Sequence, residues 1–304
     1  MPKSLLAARV ALALVVFYAS SASFAFAGIG DVYVTSDASN QVRQYDGTSG
    51  AYQTVFTTAF AANGELGIHF GATNNRVLIG HWSGGVEEFN ATSGAYIKTY
   101  NPGGGTQWAG LYGPTGGVYI GDWSTNDVRE YDSTTGAFIR VVTPVQNPAD
   151  MRLDGNRLYI ASFNGGYVLR VNATTGAFAG QWSTPPVSQP NDVVVLPSGE
   201  ILVTCMRIDQ VCRYSPVFAL LGTFAGTGWV NPHGIEINPA DGNIYVVEGG
   251  GQVHTFDPVT FAELSPSWLA PAPGDKIVDL AFRPDPGPTS ASPRSWGMVK
   301  LRYR

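Results

Sequence analysis

Short apolar runs, rich in β-branched and aromatic residues, recur along the chain: DVYVTS from Asp31, RVLIGH from Arg76, GVYIGD from Gly117, RLYIAS from Arg157, EILVTC from Glu200 and NIYVVE from Asn243. Each is too short for a helix and is flanked by Gly, Asn, Asp or charged residues, the pattern of a buried strand. After each run comes a strand, a tight reversal and a second strand: VRQYDGTSGAY from Val42, VEEFNATSGAY from Val86, VREYDSTTGAFIR from Val128 and VLRVNATTGAF from Val168. VCRYSPVFALL from Val211 and VHTFDPVTFAEL from Val253 are degenerate copies. Asp46, Asn90, Asp132 and Asn172 can cap the reversal through their side chains, and Gly50, Gly94, Gly136 and Gly176 can take the positive φ it requires.

The opening valines at 42, 86, 128, 168, 211 and 253 are 40 to 44 residues apart. That period is one four-stranded propeller blade. A further apolar segment precedes each apolar run or ends the chain's regular part: LGIHF, WAGLY, DMRL, NDVVVL, HGIEI and VDLAF, the last at 278–282. The chain begins its repeats on a second strand at Val32 and ends them on a lone first strand. The pattern therefore predicts an all-β, six-bladed β-propeller over residues 28–283, with the C-terminal strand joining the N-terminal blade so that no sheet edge is left open at the seam.

Composition sharpens the boundaries. Charged residues are only 13% and net charge is −5, with 37 Gly and 20 Pro, which suits a turn-rich fold and excludes a nucleic-acid partner on electrostatic grounds. Residues 1–27 carry Lys3 and Arg9, then VALALVVFYA, then AFA ending at Ala27, the layout of a signal peptide. The expectation is an exported protein, periplasmic or extracellular, with no membrane span in the mature chain. Residues 284–304, rich in Pro and Ser, read as an irregular C-terminal tail. In an oxidising compartment Cys205 and Cys212, on one predicted hairpin, are expected to form a disulfide.

The segment NPHGIEINPADGNIYVVEGGGQVHTFD, residues 231–257, resembles the NHL-type propeller repeat. A fainter resemblance is to the gluconolactonase and strictosidine synthase-like class: GELGIHF, 64–70, is similar to that class's opening Gly-Glu segment, and PNDVV, 190–194, matches its metal-binding Asn. The resemblance implies a metal site of Glu65 and Asn191, with His233 standing where the class has a metal-binding, catalytic Asp. The implied cofactor is a divalent cation such as Ca2+, and the implied activity is hydrolysis of lactones or related esters with Asp150 near the substrate.

First strands begin, and second strands end, on one face of a propeller, so their ends gather at the mouth of the central channel. On the first strands the polar parity holds His69, Trp108, Asp150, Arg152, Asp192, Glu236 and Asp279, which a period of two turns toward the channel. Buried acids there need partners, whether a cation, Arg152 or backbone N–H groups, and the commonest role for such an Asp is to pin the next blade's loop. The second strands end at His81, Trp82, Asp122, Trp123, Phe163 and Glu248, and aromatic side chains on that rim suit stacking on sugars or peptides. No Gly-x-Ser-x-Gly elbow or phosphate loop occurs. Two functions follow. One is an exported binding or interaction module that uses the channel-mouth face for a peptide, glycan or small ligand; the other is the metal-dependent hydrolase.

Overall fold

The structure is a computed structural model that describes residues 30–57, 64–101, 105–269, 271 and 275–284. The signal peptide expected over 1–27 and nearly all of the tail expected over 284–304 lie outside the described residues.

The chain is all-β. The described chain opens with β1 (Val32–Ser36), β2 (Gln41–Tyr45) and β3 (Tyr52–Thr57). Two meanders follow, β4 (Glu65–Phe70), β5 (Arg76–His81), β6 (Val86–Asn90) and β7 (Tyr96–Tyr100), then β8 (Gln107–Tyr112), β9 (Val118–Asp122), β10 (Asp127–Tyr131) and β11 (Phe138–Pro144). The next two are β12 (Pro148–Asp154), β13 (Arg157–Ser162), β14 (Tyr167–Asn172) and β15 (Phe178–Ser183), then β16 (Pro190–Val195), β17 (Ile201–Cys205), β18 (Gln210–Tyr214) and β19 (Leu220–Phe224). The last are β20 (Ile235–Ile237), β21 (Ile244–Val247), β22 (Val253–Phe256) and β23 (Glu263–Leu269), followed by β24 (Ile277–Phe282). A single 3-10 turn, Met206–Ile208, is the one helical element among the described residues, and no helix there is long and apolar enough to cross a membrane.

Each meander is an antiparallel sheet, and β4–β7 and β8–β11 touch edge to edge through one residue pair, His81 with Gln107. β24 pairs antiparallel with β1, setting Leu280 opposite Val34 and Ala281 opposite Tyr33. The sheet β24-β1-β2-β3 therefore joins the two ends of the described chain. First strands pack in a circuit, β24 on β4, β4 on β8, β8 on β12, β12 on β16, β16 on β20 and β20 on β24, a propeller-like arrangement.

Residue chemistry explains the packing. Second strands such as β1, β9 and β17 are buried on both faces, as their unbroken apolar runs demand. The cores lie between neighbouring sheets: Leu111 and Tyr119 pack against Met151, Leu158 and Ile160, and Tyr245 and Val247 against Val32, Val34 and Phe282. The reversals behave as the sequence predicts. Asp132 Oδ1 accepts the Thr134 and Thr135 N–H groups at 3.0 and 2.6 Å, Asn90 Oδ1 does the same for Thr92 and Ser93 at 2.9 Å, and Gly50, Gly94, Gly136 and Gly176 have φ of 66 to 75°.

Candidate functional site

The first strands share a break in register at one end. Two residues there face one on the second strand: Leu66 and Gly67 lie across from Gly80, Trp108 and Ala109 from Gly121, Ala149 and Asp150 from Ala161, Asn191 and Asp192 from Thr204, and Val278 and Asp279 from Thr35. His233 and Gly234 hold the same place beside Val247, exchanging backbone hydrogen bonds of 2.7 and 2.9 Å with it. Such bulges re-aim side chains, and they break the period of two. Trp108 is accordingly level with Ala149 rather than with Asp150, and Ala109 takes the place that simple alternation assigns to Trp108.

The second residue of each pair forms a layer of Gly67, Ala109, Asp150, Asp192, Gly234 and Asp279. One carboxylate oxygen from each of Asp150, Asp192 and Asp279 lies within 4.8 Å of the others, and all three residues are buried. The small residues leave them room: a Cβ on Gly234 would meet Asp279 Oδ1 at 2.1 Å, and one on Gly67 would meet Asp150 Oδ2 at 3.2 Å.

Two of the aspartates pin the neighbouring sheet. Asp279 Oδ2 accepts the Ile68 N–H at 2.9 Å while the Thr35 hydroxyl donates to the Leu66 carbonyl at 2.7 Å. Asp192 Oδ2 accepts the Ile235 N–H at 2.8 Å while the Thr204 hydroxyl donates to the His233 carbonyl at 2.6 Å. Asp150 differs. Ala161 across from it has no hydroxyl, and Asp150 Oδ1 accepts the Met151 N–H at 2.6 Å and lies 2.7 Å from His69 Nε2.

Burial pushes the Asp192 carboxyl well above its usual range, and the charge on Asp150 adds to this against the pull of Arg152 and two backbone N–H groups. Burial raises Asp279 likewise, with Asp150 and Asp192 as the next causes. Arg152 does not reach these carboxylates as a salt-bridge partner; its Nη1 bonds Glu236 Oε2 at 2.8 Å and its Nη2 bonds the Ile235 carbonyl at 3.3 Å.

The first residues of the bulge pairs form the adjoining layer. Leu66, Trp108, Ala149 and Val278 pack together, with Trp123 and Phe163 against them. Asn191 and His233 occupy the two remaining places; Asn191 is 2% exposed, and its Oδ1 and His233 Nδ1 are buried without a hydrogen-bond partner. Burial, with Lys276 adding to it, lowers the His233 imidazole to about 4, so the ring is neutral at physiological pH. Glu65 opens β4 opposite His81, and its side chain lies outside the described residues.

A row of aromatic rings runs through Trp108 of this layer. Trp82 meets Trp108 edge-on at 5.4 Å, Trp108 stacks on Trp123 at 5.5 Å with planes 22° apart, and Trp123 meets Phe163 at 5.3 Å. Trp82 is 46% exposed whereas Trp108 is 5% exposed, so one end of the row faces solvent and its middle is structural. At the other end Phe163 lines a cleft of about 330 Å³ with Thr184, Pro185, Val187, Gln189 and the exposed Arg207.

Other expected site residues have structural duties. Asp122 Oδ1 caps the following turn through the Ser124 and Thr125 N–H groups at 3.0 and 3.2 Å, and Glu248 accepts the Gly250 and Gln252 N–H groups at 2.8 and 3.0 Å. His81 Nε2 is 3.3 Å from Glu87 Oε2. Cys205 and Cys212 are both buried, and the Cys205 thiol donates to Cys212 Sγ at 2.8 Å. The cleft loop at 184–189 and the hydroxyls of Thr35 and Thr204 were not singled out by sequence; the Asp-and-Thr pairing across a bulge is the signal that identifies the latter.

No protein-family model and no curated protein matches the chain. Solved structures do. A nidogen/laminin complex superposes with a TM-score of 0.68 at 12% identity over 82% of this chain and 97% of that one. The WD40 β-propeller domain of Doa1 gives 0.58 at 13% over 77% of each chain. The fold is a β-propeller. A catalytically inactive virginiamycin B lyase from Staphylococcus aureus, with quinupristin, gives 0.57 at 15% over 71% of this propeller and 73% of that chain. Such neighbours show that the propeller supports both partner-binding proteins and enzymes, and at these identities they carry the fold alone.

Proposed function

We propose that the chain is an exported, six-bladed propeller that binds a glycan on its channel-mouth face. The blade count rests on 24 strands that group in fours once β24 is counted with β1–β3 and the single His81–Gln107 contact is treated as an edge touch. Export rests on the leader-like segment 1–27, and a Cys205–Cys212 disulfide would accompany it.

One observation carries the binding reading: the aromatic row from exposed Trp82 to Phe163 leads into the cleft beside Gln189 and Arg207. Flat indole faces stack on the C–H faces of sugar rings, and amide and guanidinium donors at the cleft wall suit hydroxyls, as a site with few oriented polar groups on an apolar wall requires. Binding of the purified protein to a panel of soluble oligosaccharides, by calorimetry, tests this. Binding that survives Trp82→Ala with Arg207→Ala, or binding confined to peptides, would remove the reading.

A second reading, hydrolysis of a lactone or related ester at a divalent cation, is favoured by the unpartnered Asn191 Oδ1 and His233 Nδ1 at the mouth. There Asn191, His233 and Glu65 would hold the ion and Asp150 would lie behind it. Turnover of a lactone panel that disappears in Asn191→Ala would favour it over binding alone.

A further inference from the structure

The six equivalent places in the aspartate layer divide evenly: three carry carboxylates and three carry Gly or Ala. Glycine or alanine at Gly67, Ala109 and Gly234 is what lets Asp150, Asp192 and Asp279 converge, since a side chain at Gly234 would displace Asp279 outright. Two of the carboxylates, Asp192 and Asp279, have no ion-pair partner among the described residues, because the Arg152 guanidinium is spent on Glu236 and His69 faces Asp150. Buried carboxylates this close are strongly unfavourable as bare anions.

A second, independent feature lies in the adjoining layer. Asn191 directly precedes Asp192 in the β16 bulge, and its register places it in the layer whose other members, Leu66, Ala149, Trp108 and Val278, pack together. Its side-chain oxygen is buried with nothing bonded to it, in an otherwise apolar layer. A buried amide oxygen left open next to three carboxylates is a fourth hard oxygen donor.

We propose that Asp150, Asp192 and Asp279 hold a calcium ion on the channel axis, with the Asn191 carbonyl oxygen as its cap toward the mouth. The donors are all oxygen, which selects a hard cation over zinc or copper. The carboxylate oxygens all lie within 4.8 Å of one another, within reach of one ion, and a buried cage of protein oxygens suits Ca2+, whereas Mg2+ gives up its water reluctantly. The ion ties together three first strands that are remote in sequence, so its role is to lock the ring; Asp150, which pins no neighbouring strand, is the ligand left for it. This site is one layer below the Glu65, Asn191 and His233 set of the hydrolase reading, shares only Asn191 with it, and does not depend on glycan binding.

The test is thermal unfolding and equilibrium dialysis of the full chain, stripped with chelator and titrated with CaCl2 at constant ionic strength. The expected result is a saturable rise of several degrees in Tm with close to one calcium bound per chain. Asp279→Asn should lose both, and Trp82→Ala should keep both. If Asp279→Asn fails to fold, Asp150→Asn serves, because its carboxylate makes no bond to an adjacent sheet. Absence of bound calcium and of any Tm change up to millimolar CaCl2 overturns the site, as does an unchanged calcium response in the aspartate variant. An equal response to MgCl2 overturns the assignment to a calcium-sized ion.

Discussion

His69 and Asp150 meet at 2.7 Å although they belong to first strands separated by the sheet β8–β11. The contact therefore reaches past the intervening sheet, whereas Asp192 and Asp279 reach only to the next sheet, through the Ile235 and Ile68 N–H groups. The difference has a measurable consequence. Asp192 accepts Val193 N–H on one oxygen and Ile235 N–H on the other, at 2.6 and 2.8 Å. An amide can accept only one of these and turns an N–H group toward the second, so Asp192→Asn should cost about 1–3 kcal/mol. Asp150 takes the Met151 N–H and His69 on a single oxygen, which an Asn keeps. Urea unfolding in chelator should show Asp150→Asn markedly less destabilised than Asp192→Asn.

The aromatic row should divide cleanly between stability and binding. Trp108 is 5% exposed and sits amid Leu66, Ala149 and Val278, so Trp108→Ala should cost about 3–5 kcal/mol through the cavity it leaves. Trp82 is half in solvent, and Trp82→Ala should change stability by no more than about 0.5 kcal/mol. Its loss should weaken glycan binding by up to about tenfold, the worth of one stacking contact. Paired denaturation and calorimetry on both variants check the division.

The strands and reversals were legible because local chemistry decides them. The second strands are buried on both faces, so their unbroken runs of Val, Ile, Leu and Tyr declare themselves, and the Asp or Asn and Gly of each reversal act within six residues. The site was only half legible. Asp150, Arg152, Asp192, Glu236 and Asp279 were placed on the channel side, but alternation failed at the bulge, so Trp108 was assigned to their layer when Ala109 occupies it. Nor does any local signal say that Asp192 comes with Thr204 and Asp150 with Ala161. That pairing exists only once the first and second strands are aligned with the extra residue in place.

The reversal glycines offer a graded test. Gly136 has φ of 75° and open space about it, with only Lys98 Cδ at 3.9 Å from a notional Cβ, so Gly136→Ala should cost about 1 kcal/mol of backbone strain. Gly176 has nearly the same φ, 74°, but a Cβ there would stand 2.2 Å from the Val142 carbonyl oxygen. Gly176→Ala must move the β11 end of the neighbouring sheet as well and should be the more destabilised of the two in urea titration.

The pairing of β24 with β1 predicts a sharp dependence on where the chain stops. A chain ended at Lys276 lacks the strand that pairs with β1 and exposes the Val32, Val34 and Tyr33 backbone as an open edge next to an uncovered core. It should lose cooperative unfolding and aggregate, while a chain ended at Pro284 retains β24 and should unfold as the full chain does. Sedimentation and thermal melts of the two truncations decide it; a soluble, cooperatively folded chain ending at Lys276 would contradict ring closure.

The reversal aspartates set part of the acid stability. Hydrogen bonds from Ser49 hold Asp46 below its ordinary value of 3.8, and those from Thr135 and Thr260 do the same for Asp132 and Asp257. A carboxyl whose folded pKa is depressed binds its proton more weakly folded than unfolded, so acidification favours unfolding. Its contribution is fully present above the unfolded pKa, about 3.9, and is lost as pH falls through the lower folded value. Asn90 and Asn172 make the same turn without a charge, which shows that an amide fits there. The triple variant Asp46→Asn, Asp132→Asn, Asp257→Asn should therefore be somewhat less stable than the parent at neutral pH and lose less stability between about pH 4 and pH 2. Urea midpoints measured across that range should converge as pH falls; curves that stay parallel would mean these three side chains titrate alike in the folded and unfolded chain.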